Sequence, residues 1–186
     1  MIVYTDGLCV NNGTDEAKAR SGVWYGHDDP RNVVIKVPGN KQSNQIGEPL
    51  AILYVIKTAL GNRPLQIRSD SRFAIDGLTK YAQEWEKKDW IGVKHGPLFR
   101  CTTAWIRART ATTTLQWVKG HTGIEGNEEA DKLAAEGTRK VPNNDEIDLK
   151  IPADTMTTGA VLAKVSQSLI YQRLTNSEGI DRTATT

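Results

Sequence analysis

Four acidic residues of this chain, Asp6, Glu48, Asp70 and Asp131, fall where a carboxylate can do chemistry. Asp6 ends a β-branched and aromatic run, Ile2-Val3-Tyr4-Thr5, and Asp70 ends a second run, Leu65-Gln66-Ile67-Arg68-Ser69. Glu48 lies in the first turn of a strongly apolar helix, and Asp131 opens the last core helix. Singly, each is a surface acid at an element boundary. Gathered at one site they would repel one another strongly, so a cluster of this kind implies bound cations. Oxygen donors with no His/Cys grouping select Mg²⁺ or Mn²⁺ over Zn²⁺. The stretch Gly120-His121-Thr122-Gly123-Ile124-Glu125-Gly126-Asn127 adds a glycine-rich loop carrying His121. Asn127 and Asp131, four residues apart at a helix start, share one face.

The elements that must position these groups follow from pattern and punctuation. Strands are expected over 2–10, 21–26 and 32–38, separated by turn-rich connections and so forming an antiparallel meander. Ser43-Asn44 supplies cap chemistry for a buried helix over about 46–60. Then come a strand at 65–69, helical stretches at 71–79 and 81–88, a helix at 98–109, a strand at 113–119 and a helix at 127–138. Crossovers through helices make the later strands parallel. If the first and fourth strands are parallel neighbours, Asp6 and Asp70 reach the same sheet edge, where α/β sheets bind ligands. Beyond them, 140–157 reads as an extended linker and 158–176 as an amphipathic helix with Val161, Leu162, Val165 and Leu169 on one stripe. Residues 177–186 read as a flexible tail. The helix has to pack on the body or on a partner chain, because one of this length is marginal alone.

Composition narrows the class. A chain of 186 residues with 38% hydrophobic and 25% charged residues suits one globular domain with an appendage. No apolar run approaches the ~20 residues of a membrane span, and no signal-peptide pattern opens the chain. The expectation is an intracellular monomer, nuclear or cytoplasmic. Cys9 and Cys101 lack metal-type spacing and read as reduced thiols. The net charge of +2 is unevenly spread: Lys80 to Lys119 holds eight Lys/Arg against three acids, whereas 141–186 holds four against six. A basic middle beside an acidic cleft suits a protein that grips a polyanion and holds cations to cut it.

With those residues in place, the chain resembles the type 1 ribonuclease H family, also found as the nuclease domain of reverse transcriptases. The matching pieces are Tyr4-Thr5-Asp6-Gly7, Ser43-Asn44-Gln45 with Glu48, Ser69-Asp70-Ser71, and Gly120-His121 through Asn127-Glu128-Glu129-Ala130-Asp131, in the family's order across 1–139. The resemblance implies an α/β ribonuclease H-like fold. Its mixed five-stranded sheet, three antiparallel strands then two parallel, would be flanked by helices and followed here by a C-terminal helical extension. It also implies an endonuclease that cuts the RNA strand of RNA/DNA hybrids. In that reading Asp6, Glu48, Asp70 and Asp131 hold two Mg²⁺ ions, with Mn²⁺ substituting, and the products are 5′-phosphate and 3′-hydroxyl ends. His121 becomes the mobile histidine of proton transfer and product release.

The implied substrate contacts are Asn12, Asn44 and Gln45 on the RNA strand, Lys41 and Ser43 in a phosphate pocket, and Ser71 and Asn127 within the matched motifs. Tyr81, Trp85, Lys87, Lys88, Trp90 and Lys94 form a basic protrusion, with Phe73 a partner of Trp85. The chain departs from the family where Ile46-Gly47 replaces the usual Arg-Ala before the glutamate and where Arg100 replaces an asparagine after the protrusion. No hybrid-binding module is expected ahead of Met1. A domain that binds hybrids without cutting and a DNA-processing relative are the alternatives. The complete acid set with His121 argues against the first, and the Gly-rich histidine loop with the protrusion argues against the second.

Overall fold

A computed structural model describes residues 1–40, 42–139 and 147–155. Strands β1 (Ile2–Val10), β2 (Lys18–Trp24), β3 (Val33–Lys36), β4 (Leu65–Ser69) and β5 (Thr113–Trp117) form one sheet in the order β3-β2-β1-β4-β5. β1, β2 and β3 are the expected antiparallel meander, while β4 joins β1 and β5 joins β4 in parallel. The sheet is therefore the mixed one anticipated from the sequence. β2 starts earlier than predicted because Lys18, Ala19 and Arg20 continue the ladder opposite Val10, Cys9 and Leu8. β3 is shorter because the Asn32 side chain leaves the ladder to accept from the Tyr25 N–H and donate to the Gly26 carbonyl, both at 2.7 Å.

The helices are α1 (Asn44–Thr58), α2 (Arg72–Asp76), α3 (Ala82–Lys87), α4 (Gly96–Ala108) and α5 (Glu125–Arg139), with a π turn at Gly77–Tyr81 between α2 and α3. Apolar around its circumference, α1 buries Leu50, Ile52, Leu53, Val55 and Ile56 between the sheet and α4. Each such side chain contributes roughly 1.5–3 kcal/mol. Ser43 stands at the N-cap of α1 but makes no side-chain cap bond. Its carbonyl accepts the N–H groups of Ile46 and Gly47 instead. Because α1 begins at Asn44, Glu48 falls in the second turn, not the first.

α5 covers β1, β2 and β3 on the opposite face of the sheet. Gly22 makes that approach possible, since a Cβ there would collide with the Ala130 carbonyl. The helix starts at Glu125, which puts Asp131 in its second turn and corrects the expectation that Asp131 opens it.

Residues 147–155, within the stretch expected as a linker, lie along α1 and α4. Ile147 and Ile151 pack on the core, Lys57 pairs with Asp148 at 2.6 Å, and the Trp105 indole donates to the Lys150 carbonyl at 2.9 Å. The expected helix over 158–176 and tail over 177–186 lie outside the described residues. Among the described residues no helix is long and apolar enough to cross a membrane.

Candidate functional site

The parallel register between β1 and β4 sets Tyr4 opposite Arg68, and two residues further along each chain stand Asp6 and Asp70. Glu48 joins them because Gly7 has no side chain: a Cβ at Gly7 would collide with the Glu48 backbone N–H and side chain. Asp131 arrives with α5, seated on Gly22, which lies opposite Asp6 in β2. Gly120, in the loop after β5, likewise leaves the room that the Asp70 carboxylate fills. All four sequence-predicted acids thus reach the carboxyl-end edge of the sheet.

Electrostatics show that the four feel one another. Asp6 is only 7% exposed. Burial first, and the Asp70 charge second, push its carboxyl up to about 8, with Asp131 and Glu48 adding to the rise. The Gly7 N–H, donating to Asp6 Oδ1 at 2.6 Å, opposes it. Burial also raises Glu48, opposed by the Ser71 hydroxyl and reinforced by Asp70. The Asp70 carboxylate accepts from Asn127 Nδ2 at 3.1 Å, and its backbone carbonyl accepts from the Trp117 indole at 2.9 Å. Among the described residues none of the four pairs with Lys or Arg, and the buried Oδ1 of Asn127 has no partner. Nor do any three acid, histidine or cysteine groups among them already close around a single point. An oxygen-only donor set carrying uncompensated charge fits hard divalent cations.

The predicted substrate residues divide by exposure. Asn12, Asn44 and Gln45 are exposed, Ser43 is half-buried, and His121 is exposed on its loop in the left-handed region at φ 52°. Lys41 lies outside the described residues. Ser71 is 5% exposed, with its hydroxyl engaged by Glu48 and Ala74, and Asn127 is 1% exposed with its Nδ2 donating to Asp70.

Trp90 is 7% exposed and forms a small second core with Ala82 and Phe99. Trp85 is half-buried, its ring 5.1 Å from that of Phe99 and 6.1 Å from that of Trp90. Phe73 packs edge-on against Phe99 at 5.3 Å. Tyr81 ends the π turn and stays beside Trp85, ring centroids 5.8 Å apart, but is 51% exposed. Lys87 pairs with Glu84 at 2.5 Å and Arg100 lies 3.9 Å from Asp89, whereas Lys88 and Lys94 carry no ion pair among the described residues. Sequence reasoning missed Trp117 behind Asp70, with Arg72 stacked on its ring at 3.6 Å, and missed Gly22 beneath α5. A glycine inside a strand was the available signal for the second.

A family model described as RNase H matches residues 1–139. The chain is similar to Ribonuclease H1 of Mus musculus, 37% identical over 145 residues that cover 75% of this chain and 50% of that protein. It is similar also to Ribonuclease H of Schizosaccharomyces pombe, 36% identical over 141 residues, 73% of this chain and 52% of that one. The chain thus spans about half the length of these relatives. The solution structure of the PFV RNase H domain superposes with a TM-score of 0.59 at 26% identity, covering 74% of this chain and 93% of the other. The matched span carries the five-stranded sheet and all four acids at its edge, and the chain belongs to the RNase H family.

Proposed function

We propose that this chain hydrolyses the RNA strand of RNA/DNA hybrids, with residues 1–139 as the catalytic unit. The observation that carries this reading is the uncompensated cluster of Asp6, Glu48, Asp70 and Asp131 at the sheet edge. These acids would hold two Mg²⁺ ions, or Mn²⁺, whose Lewis acidity activates water and offsets charge on the leaving 3′ oxygen, so that a 5′-phosphate and a 3′-hydroxyl result. Asp6 enters that role by giving up the proton that burial otherwise holds on it. Asn127 keeps Asp70 turned toward the cleft. His121, exposed on its loop, is placed to exchange protons with water and with the departing product.

Asn12, Asn44 and Gln45 present exposed groups that donate and accept, as a 2′-hydroxyl requires, and so distinguish the RNA strand from DNA. Tyr81 offers an exposed ring, and Lys88 and Lys94 offer charges not consumed by ion pairs. Incubating the protein with end-labelled hybrid, duplex RNA and duplex DNA, in Mg²⁺ or EDTA, tests the reading. Cleavage confined to the RNA of the hybrid, only with Mg²⁺ and leaving 5′-phosphates, is expected. Hybrid binding without cleavage would leave a binding domain, and cutting of duplex DNA would point to a DNA-processing relative.

A further inference from the structure

Ser71 sits between two parts of the molecule that the proposed reaction uses separately. Its hydroxyl donates to Glu48 Oε2 and accepts the Ala74 N–H at 3.1 Å, capping α2. Its own N–H is held by Ser69 Oγ at 3.2 Å, at the end of β4. A hydroxyl has a single proton, and Ala74 brings its own, so the Ser71 proton is committed to Glu48. A residue serving only as an N-cap needs an acceptor alone. At this position donor and acceptor are used together on a short, buried side chain. Glu48 has no other hydrogen-bond partner among the described residues, so its orientation rests on this contact and on the backbone that carries it.

We infer that Ser71 is a positioning residue that orients Glu48 for divalent-cation binding and ties it to the first turn of α2, which leads into the protrusion. The inference rests on the metal reading above. It assigns to a serine within a matched motif a contact to the carboxylate, in place of the contact to nucleic acid expected from the sequence.

The test uses Ser71→Gly, Ser71→Ala and Ser71→Thr, with Mg²⁺ affinity measured by calorimetry in the absence of substrate. Glycine is nearly as good an N-cap as threonine, so Ser71→Gly removes the Glu48 contact while largely sparing the helix. Loss of a group that orients a metal ligand typically weakens metal binding about tenfold or more, and that is the loss expected for Ser71→Gly and Ser71→Ala. Ser71→Thr restores both bonds and should recover the affinity. Cleavage by Ser71→Gly should half-saturate at about tenfold higher Mg²⁺, with the KM for hybrid at saturating Mg²⁺ unchanged.

If Ser71→Gly binds Mg²⁺ as the wild type does, or if its melting temperature falls while its Mg²⁺ affinity holds, Ser71 is only a cap and the inference is overturned. Asp70→Asn in the same titration separates the two levels. A wild-type isotherm that Asp70→Asn leaves untouched removes the metal reading and the inference together.

Discussion

Between Asp76 and Asp89 each acid of the protrusion lies against a base: Asp76 with Lys80, Glu84 with Lys87, Glu86 with Arg107 and Asp89 with Arg100. In the cleft, the charges of Glu48, Asp70 and Asp131 act on Asp6 with no base paired to any of the four among the described residues, and burial with these charges pushes the Asp6 pKa up to about 8. The first arrangement is ordinary solvated pairing, worth little individually. The second costs stability as long as no positive charge offsets it. In the sequence the basic run from Lys80 to Lys119 reads as a complement to the acidic cleft. Half of that run is paired with acids, leaving Lys88, Lys94, Arg109 and Lys119 without an ion pair among the described residues.

The largest effect that would break this contrast is on catalysis. Asp70→Asn keeps the shape and the Asn127 neighbour but removes a charge, and RNA cleavage should fall roughly a thousandfold or more, equivalent to about 4 kcal/mol of transition-state stabilisation. Circular dichroism should be unchanged. A near-normal rate would return Asp70 to the ordinary surface acids. His121→Ala should cost less, roughly a hundredfold, since proton exchange is a smaller contribution than holding the charge.

Metal removal sharpens the same contrast through pH. A carboxyl whose folded pKa lies above its unfolded value near 3.8 contributes stability that is complete below that value and lost as pH rises toward 8. In EDTA the protein should therefore lose stability between about pH 4 and pH 8, by at most roughly 1.4 kcal/mol per pH unit. Asp6→Asn should flatten most of that slope, leaving the smaller contribution of Glu48, and Mg²⁺ should raise the wild-type melting temperature more at pH 8 than at pH 5.5. Parallel melting curves for wild type and Asp6→Asn across this range would show that Asp6 is not held in the strained state described.

Two of the aromatic residues of the protrusion, Trp85 and Tyr81, divide in the same manner. Trp85→Ala removes a ring from the cluster with Phe99 and Trp90 and should destabilise the fold by roughly 2 kcal/mol. Tyr81→Ala should leave melting almost unchanged and weaken hybrid binding by about 1 kcal/mol. The reverse assignment, with stability lost at Tyr81 and binding lost at Trp85, would place the nucleic acid on the other side of the protrusion.

What the sequence made legible was whatever period and punctuation encode. Strand runs ending in acids gave the positions of Asp6 and Asp70, and an all-round apolar stretch gave the burial of α1. Which aromatics of the protrusion are buried was not legible, because local spacing does not report that Trp85 and Trp90 pack with Phe99 while Tyr81, beside Trp85, stays exposed. The contacts of Ser71 with Glu48 and of Asn127 with Asp70 were not legible either, because both residue types suit a substrate as well as a neighbouring carboxylate and spacing does not report burial. The approach of α5 over Gly22 depends on a contact between residues more than a hundred positions apart, which no local pattern reports.

An effect on stability alone concerns the strap at 147–155, which lies beyond the matched span of 1–139 yet packs on α1 and α4. Its ion pair between Lys57 and Asp148 is exposed on the Asp148 side and contributes little to hold it. The Trp105 indole bonded to the Lys150 carbonyl, and the half-buried Ile147 and Ile151, contribute more. Replacing both isoleucines with alanine should therefore destabilise the fold by roughly 1–2 kcal/mol and lower the melting temperature by about 2–8 °C for a chain of this size. Because the strap lies along α1 and α4, on the sheet face opposite α5, Mg²⁺-dependent cleavage below the transition should not change. Loss of cleavage without loss of stability would tie the strap to the cleft, through the α1 helix that carries both Lys57 and Glu48. An unchanged melting temperature would mean that the folded unit ends with α5.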